Sequence, residues 1–579
     1  MQTKKILLSD AYKGFTLDQD KIMAPAETVK RVRAKFDSID LDILESTRRI
    51  DNGRLDIPVF FSRCGRDARA LTGTRKQMGK GATPEQAEAS AVMELVERFS
   101  FFSFCRNPAN FIIDTPSNLG SRALPFDMIA RSVHDTSDEV GAARAIFESL
   151  PLKWTAGYNL TLDRPVLIPF DWFYMINEFN GPSAGNCVEE AVSQGICEVV
   201  ERHVSSVISR NRLRVPRVRP ESATDPAVKE MLAKYARAGI KIFISDFSLD
   251  TGIPTVGVLA YDPATFPAQS EIVWTAGTTP GPEKALSRTL TEVAQLAGDF
   301  NTGANFMASG LPKFSRIESA EFITGETGFV DITDLPDLSN DNIKTEIHNL
   351  VGALAGNDMQ VFLIDTMHTR LEIPAFYTII PGAHFRERAH GTSVGMFSAK
   401  FIAENNPPET AIGLLEAFDR KLPGKYYTQF YLGLCRLSTG TPRQALASLE
   451  KAIDLDPIRQ DVPSIYSYMG QCLKEMGRYE GALAALQKGA LVDNERTDIH
   501  NLMGFCHFKL KAHEAAIRCF KKVIELNPGS AIDYANIASN YRDMGKTDKA
   551  IEYYETALAL DPTIDFALQN LMKLQAENK

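Results

Sequence analysis

The chain has 579 residues, 44% of them hydrophobic and 24% charged, the balance of a globular protein with more than one domain. A formal net charge of −9 and a pI near 5.7 argue against a general nucleic-acid binder, and no apolar run approaches the ~18 residues of a membrane span. Met1 to Asp10 lacks the apolar stretch of a signal peptide, and eight scattered cysteines with no C-x-x-C pair suit a reducing cytoplasm.

In chain order, the first pattern that carries chemistry is Glu94-x-x-Glu97-Arg98, at the end of an apolar-periodic run. The same phrase returns as Glu198-x-x-Glu201-Arg202. At ~100° per residue, positions i, i+3 and i+4 share one helix face, so each copy offers two carboxylates and a guanidinium side by side. The second copy is longer. Glu190, Gln194, Glu198, Glu201 and Arg202 fall at roughly 0°, 40°, 80°, 20° and 120° on a helical wheel. Val192, Ile196, Val199 and Val200 fall opposite, at roughly 200°, 240°, 180° and 280°. No Lys or Arg lies between Ala184 and Val200, although Glu189, Glu190 and Glu198 do. Like charges at this spacing cost a few tenths of a kcal/mol on a bare helix, and a divalent metal would remove that cost. The plain alternative is an amphipathic helix with a solvated face, but such a face usually mixes Lys with Glu. A third stripe, Arg288-x-x-x-Glu292-x-x-Gln295, follows Pro280-Gly281-Pro282; by itself it reads as a surface ion pair.

Cys187 and Cys197 flank the acidic stripe and read as buried apolar-like thiols. His203 follows the second Glu-Arg pair, but the nine histidines show no ligand spacing. Between the helical runs lie β-like segments: Lys241-Ile-Phe-Ile-Ser245, Thr255-Val-Gly-Val-Leu259 and Phe376-Tyr-Thr-Ile-Ile380. Past Glu404-Asn-Asn-Pro-Pro-Glu409 the pattern becomes wholly helical and repeats. Gly433, Gly470, Gly504 and Ala538 each precede an alanine (Ala445, Ala482, Ala516, Ala550) by twelve residues. Leu449, Leu486, Phe520 and Tyr554 follow four later, at a spacing of thirty-four residues with one step of thirty-seven. This is the tetratricopeptide pattern, a scaffold with a concave groove, closed here by a capping helix over 563–579.

The upstream phrases resemble the YcaO family. Ser90-x3-Glu94-x2-Glu97-Arg98, then Ser183-x6-Glu190-x3-Gln194-x3-Glu198-x2-Glu201-Arg202, then Arg288-x3-Glu292 match its ATP-binding signature in order. Gly79-Lys80-Gly81-Ala82-Thr83, Gly252-Ile253-Pro254 and Pro381-Gly382 fit the surroundings. The resemblance implies an α/β (α+β) ATP-binding domain over 1–403, a linker at 404–410, and an all-α tetratricopeptide solenoid over 411–579. It implies that Glu94, Glu97, Glu198 and Glu201 hold magnesium, with Glu198, Glu201 and Arg202 acting in catalysis. ATP would be held by Ser90, Arg98, Ser183, Glu190, Gln194, Arg202, Arg288 and Glu292. The spacing of Lys21 and Thr28 matches a further pair that touches the nucleotide. No Walker-type loop competes for that role.

The family's reaction is ATP-dependent O-phosphorylation of a peptide backbone amide. With external sulfide the product is a thioamide; with a neighbouring Cys, Ser or Thr it is an azoline. The family also includes an accessory factor in methylthiolation of a ribosomal protein. Azoline-forming members typically end in a proline-rich tail, and this chain has no proline after Pro562, so thioamide formation or the accessory role is expected and a cyclodehydratase is the alternative. A tetratricopeptide adaptor with a regulatory nucleotide site is the alternative of another class. A peptide or protein substrate, a sulfur-donor partner protein and a homodimer are the implied partners. The break at 404–410 predicts that residues 1–405 bind ATP without the repeats and that 409–579 fold alone.

Overall fold

The computed structural model describes residues 5–14, 20–51, 53–297, 300, 314, 316–325, 327–385 and 392–577. They form two compact units. The first draws on 1–134, 148–306 and 313–388, and the second on 135–147 and the chain from 389 onward.

The first unit is mixed α/β. Its five-stranded sheet runs Val273–Thr278, Thr255–Tyr261, Lys241–Asp246, Arg217–Val218, Phe329–Val330. The strand Thr255–Tyr261 is buried along nearly its whole length, as a central strand covered on both faces must be. A six-stranded sheet runs Ile112–Asp114, Leu152–Asn159, Phe362–Asp365, Ala375–Ile379, Pro182–Ala184, with Arg164–Pro169 paired to Leu152–Asn159. A three-stranded antiparallel sheet joins Leu44–Arg49, Val59–Cys64 and Lys76–Lys80. The three β-like segments of the sequence are thus strands.

Four helices carry candidate site residues: α1 (Pro25–Asp37), α2 (Pro84–Arg106), α3 (Val188–Asn211) and α4 (Pro282–Ala297). A capping box opens α2: Gln86 N–H donates to Thr83 Oγ1 (3.3 Å) and Thr83 N–H donates to Gln86 Oε1 (3.1 Å). α2 lies on the three-stranded sheet so closely that a Cβ on Gly79 would sit 2.1 Å from the Ala91 nitrogen, so only glycine fits there. α3 packs against Ala375–Ile379 of one sheet and Val273–Thr278 of another. Val192, Ile196, Val199 and Val200 are at most 2% exposed, as their side of the wheel predicts.

In the second unit the repeats are helix pairs: Tyr426–Ser438 with Pro442–Asp454, Val462–Glu475 with Tyr479–Val492, Thr497–Lys509 with His513–Leu526, and Ala531–Asp543 with Thr547–Leu560. Asp565–Glu577 caps the array. The small residues sit where the helices of a pair cross. A Cβ on Gly433, Gly470 or Gly504 would fall 2.5–2.7 Å from the side chain of Leu449, Leu486 or Phe520.

The linker expected at 404–410 is a tight junction instead. One helix, Val394–Asn405, ends and the next, Pro408–Lys421, starts almost at once. Val394–Asn405 packs on Pro408–Lys421, on Tyr426–Ser438 and on the upstream helix Val140–Phe147. The unit that contains the repeats therefore reaches back to 135–147, a long-range pairing that local composition does not reveal. A chain cut after Asn405 loses most of the packing partners of Val394–Asn405, on which Phe397, Phe401 and Ile402 are buried. We expect 1–405 to aggregate in light scattering; a monodisperse, nucleotide-binding 1–405 would show the junction to be a true domain boundary.

Candidate functional site

The polar faces of α2, α3 and α4 meet at one cavity of about 380 Å³. α2 contributes Ser90, Glu94, Glu97 and Arg98; α3 contributes Glu190, Gln194, Glu198, Glu201 and Arg202; α4 contributes Arg288, Glu292 and Gln295. Lys21 and Thr28 also line it. Ser183 is the one expected site residue that does not. Its side chain is fully buried, and its Oγ would lie 2.7 Å from a Cβ on Gly195, beneath α3.

Arg98 and Arg202 are not cations at helix ends, because α2 runs on to Arg106 and α3 to Asn211. Their guanidinium groups lie among the carboxylates: Arg98 Nε is 3.4 Å from Glu97, and Arg202 is 3.5 Å from Glu201 and 3.9 Å from Glu198. Arg288 donates to Gln194 Oε1 (2.9 Å) and comes within 3.9 Å of Glu201. The face is no solvated surface either, since Glu190 and Glu201 are 3% and 6% exposed.

Burial raises the carboxyl groups of Glu94, Glu97 and Glu198 above the ordinary range. Arg98 opposes the shift at Glu94 and Glu97, and Arg202 opposes it at Glu198, while neighbouring carboxylates add to it.

The structure also places residues that the motifs did not assign. Lys80, at the end of the strand beneath α2, forms an ion pair with Glu292. Burial, with Arg288 beside it, pushes the Lys80 ammonium down to about 7. A lysine bracketed by two glycines was the available signal: Gly79 is forced by the approach of α2, which carries Lys80 into the cavity. Asp20 accepts from Lys284 (3.5 Å) and lies 3.8 Å from Lys21. Glu190 is occupied by backbone. Ile22 N–H donates to Oε1 (2.8 Å), and Asn186 N–H and Nδ2 donate to Oε2 (2.9 and 3.0 Å). Thr28 Oγ1 donates to Ala24 O (3.3 Å), within its own helix region.

No thiol here is an activated nucleophile. Cys187 caps α3 by accepting from Glu190 N–H, Cys197 is buried, and burial pushes both thiols up to about 12. His203 is held as an acceptor from His384 N–H (3.0 Å), and burial lowers its ring to about 4.

Residues 78–384 match the family described as YcaO cyclodehydratase, ATP- and Mg2+-binding. The chain belongs to the YcaO family. Residues 436–504 and 495–563 match tetratricopeptide repeats. An uncharacterized protein of Methanothermobacter thermautotrophicus is 27% identical over 62% of this chain and 93% of its own length. The Escherichia coli ribosomal protein S12 methylthiotransferase accessory factor YcaO is 28% identical over 52% of this chain and 56% of its own length. In fold, the chain is similar to Methanopyrus kandleri YcaO, solved with AMPPCP and Mg2+ (TM-score 0.50, 24% identity, 65% of this chain and 95% of that one). It is also similar to a heterocyclase solved with substrate and cofactor (TM-score 0.55, 20% identity, 66% and 55%).

ATP and magnesium are the cofactors of this domain, and the residues present fit them. The cavity pairs hard oxygen donors with guanidinium groups. Among the described residues no three acidic, histidine or cysteine side chains close around a metal by themselves. Magnesium usually divides its ligands between carboxylates and phosphate oxygens.

Three outcomes are expected. Glu198→Ala or Glu201→Ala abolishes ATP turnover with little change in the melting temperature; wild-type hydrolysis in both variants would remove these residues from the site. Arg202→Lys weakens nucleotide binding or turnover about tenfold, the scale of one charge-assisted hydrogen bond of ~1.5–3 kcal/mol; an unchanged affinity would mean that any cation suffices. Finally, acids held partly protonated by burial must ionise to meet magnesium. Magnesium–nucleotide binding should therefore release protons and tighten as pH rises through their raised pKa values. Calorimetry in two buffers of different ionisation enthalpy measures this, and equal heats would count against it.

Proposed function

We propose that the chain uses ATP and magnesium to O-phosphorylate a peptide backbone amide, for thioamide formation or in support of methylthiolation of a ribosomal protein. The observation that carries the proposal is the cavity where α2, α3 and α4 meet. It is rich in carboxylates and guanidinium groups, and the thiols beside it, Cys187 and Cys197, are not activated. Such a site is suited to positioning and charge stabilisation in phosphoryl transfer rather than to covalent catalysis by the enzyme.

ATP, bound with magnesium, supplies the phosphoryl group that turns the amide oxygen into a leaving group. Glu94, Glu97, Glu198 and Glu201 would hold the metal, and the arginines at 98, 202 and 288 would grip phosphate oxygens and offset developing charge. Glu190 orders the turn at Asn186 and the backbone at Ile22, and so fixes the position of Lys21 beside the cavity. A nucleophile would add to the amide carbon, the oxygen would take the phosphoryl group with release of ADP, and phosphate would leave as the added nucleophile loses its proton.

The Escherichia coli relative's part in S12 methylthiolation favours the non-azoline outcome. The family's description as cyclodehydratase keeps azoline formation as the second reading. A sulfur-donor protein and a second copy of this chain are the partners that go with the first. Mass spectrometry of cellular protein with and without this chain separates the products: exchange of oxygen for sulfur marks a thioamide, and loss of water marks an azoline. An intact ATP site with no peptide-stimulated phosphate release and no altered protein would instead mark a tetratricopeptide adaptor.

A further inference from the structure

A second and larger cavity, about 670 Å³, adjoins the first within the same unit. The two share Asp20, Lys21, Glu190, Gln194, Lys284 and Arg288 as a common wall. Its volume lies within the roughly 300–1,000 Å³ of ligand sites. It lies outside the cluster of Glu94, Glu97, Glu198 and Glu201, which line only the first cavity.

The lining of this second chamber is acidic on the side away from the common wall. Asp225 and Glu283 are half-buried there, and Asp337 and Asp341 are exposed. None of the four forms an ion pair with any described residue. The positive groups of the chamber are already engaged: Lys13 with Glu346 (2.6 Å), Lys284 with Asp20, and Arg288 with Gln194 and Glu201.

Three of these acids commit one oxygen to local structure. Asp225 Oδ1 accepts from Ala227 and Val228 N–H (2.7 and 3.2 Å). Glu283 Oε1 accepts from Thr224 Oγ1 (2.9 Å), and Asp337 Oδ1 accepts from Ser339 N–H (2.9 Å). Two further groups point to a ligand. Glu283 Oε2 is a buried carboxylate oxygen with no hydrogen-bond partner. Ser193, on α3 between Glu190 and Cys197, is 9% exposed and lines the chamber, and its hydroxyl has no partner among the described residues. Glu283 Oε2 is thus one of the rare polar atoms left unpaired inside a protein, and the Ser193 hydroxyl is open to a ligand that enters the chamber.

We propose that this chamber holds the acceptor peptide, and that the peptide carries Lys or Arg within a few residues of the activated amide. The inference rests on the proposed amide activation and adds where the acceptor lies and what its sequence must contain. The amide sits toward the common wall, beside Lys284 and Arg288, where the first cavity presents phosphate. Ser193 meets a backbone polar group. The flanking cation lies against Asp225, Glu283 and Asp337, drawn by their charge, with the second carboxylate oxygens of Asp225 and Asp337 left to accept from it. An acidic segment would face these carboxylates unpaired, so the wall selects by repulsion as well as attraction.

The test uses two fluorescein-labelled decapeptides, alternating Lys-Gly and alternating Glu-Gly, with full-length protein, magnesium and a non-hydrolysable ATP analogue. Anisotropy reads peptide binding, and calorimetry reads the nucleotide. The site variant combines Asp225→Asn, Glu283→Gln and Asp337→Asn, which keep the local hydrogen-bond acceptors. A control with the same change in net charge combines Glu514→Gln, Asp548→Asn and Glu552→Gln on exposed repeat positions. The lysine peptide is expected to bind about tenfold or more tighter than the glutamate peptide. The site variant should lose that preference, the control should keep it, and nucleotide affinity should be the same in all three proteins.

Equal losses in the two variants would reduce the preference to non-specific attraction and overturn the proposal. A site variant that binds nucleotide more weakly would assign the chamber to the nucleotide and overturn it as well. Failure of the unaltered chain to bind nucleotide would strike the proposed reaction, while the peptide site would still stand or fall by the two variants.

Discussion

Carboxylates from two different helices are brought together in one partly buried cavity, and much of the first unit serves to hold them there. Glu94, Glu97 and Glu198 are driven toward their neutral forms by burial and by neighbouring carboxylates, and Arg98 or Arg202 holds each of them back. Arg98 and Arg202 come from the same helices as the acids, Arg288 from a third helix, and Lys80 from the end of a strand. Attraction between such groups falls with distance and is weakened wherever water enters, so the elements must be fixed to within an ångström or so. Close backbone approach does this. Gly79 admits α2 to the sheet below it, and Gly195 admits α3 to the strands that carry Ser183 and Thr378.

The acids and arginines of the site were legible because the helix period orders them. Glu94, Glu97 and Arg98 had to share a face, and so did Glu198, Glu201 and Arg202. Their missing countercharge was also legible, as a stretch of α3 without Lys or Arg. What supplies part of that charge was not. Lys80 is far from Glu292 in sequence, and only the packing of α2 against its strand brings the two together. Ser183 went the other way. It belongs to the motif, but it occupies a three-residue strand whose alternation turns its side chain under α3. Period-2 geometry over so short a run leaves no pattern to read.

The repeats were legible for a local reason: each glycine and its opposed Leu or Phe recur within one helix pair, so the contact is written into a single repeat. The edge of that unit was not local. Val394–Asn405 finds partners both in the repeats and in Val140–Phe147, separated by some two hundred and fifty residues. The proline pair at Pro407 and Pro408 looked like a linker because proline ends one helix. It also starts the next, where its fixed φ and missing N–H cost nothing.

Along α3, acids on one face divide into two kinds according to the donors within reach. Near its N-terminus, Glu189 accepts from Ser9 N–H (2.5 Å) and Glu190 from Ile22 and Asn186, so backbone amides carry their charge and tie the chain ahead of α1 to the helix. Two turns later the backbone is sealed into the helix. Glu198 has the Gly181 N–H at 3.3 Å and Arg202 beyond it, and Glu201 has Arg202 and Arg288 at 3.5 and 3.9 Å. These are longer and weaker contacts than the amide bonds at the helix start. The same residue type, repeated at helical spacing, thus meets backbone amides where other segments pass the helix, at Ser9, Ile22 and Asn186, and guanidinium groups farther along. The step along α3 is set by which neighbouring chain reaches each turn, since the helix's own amides beyond its first turn are bonded within it.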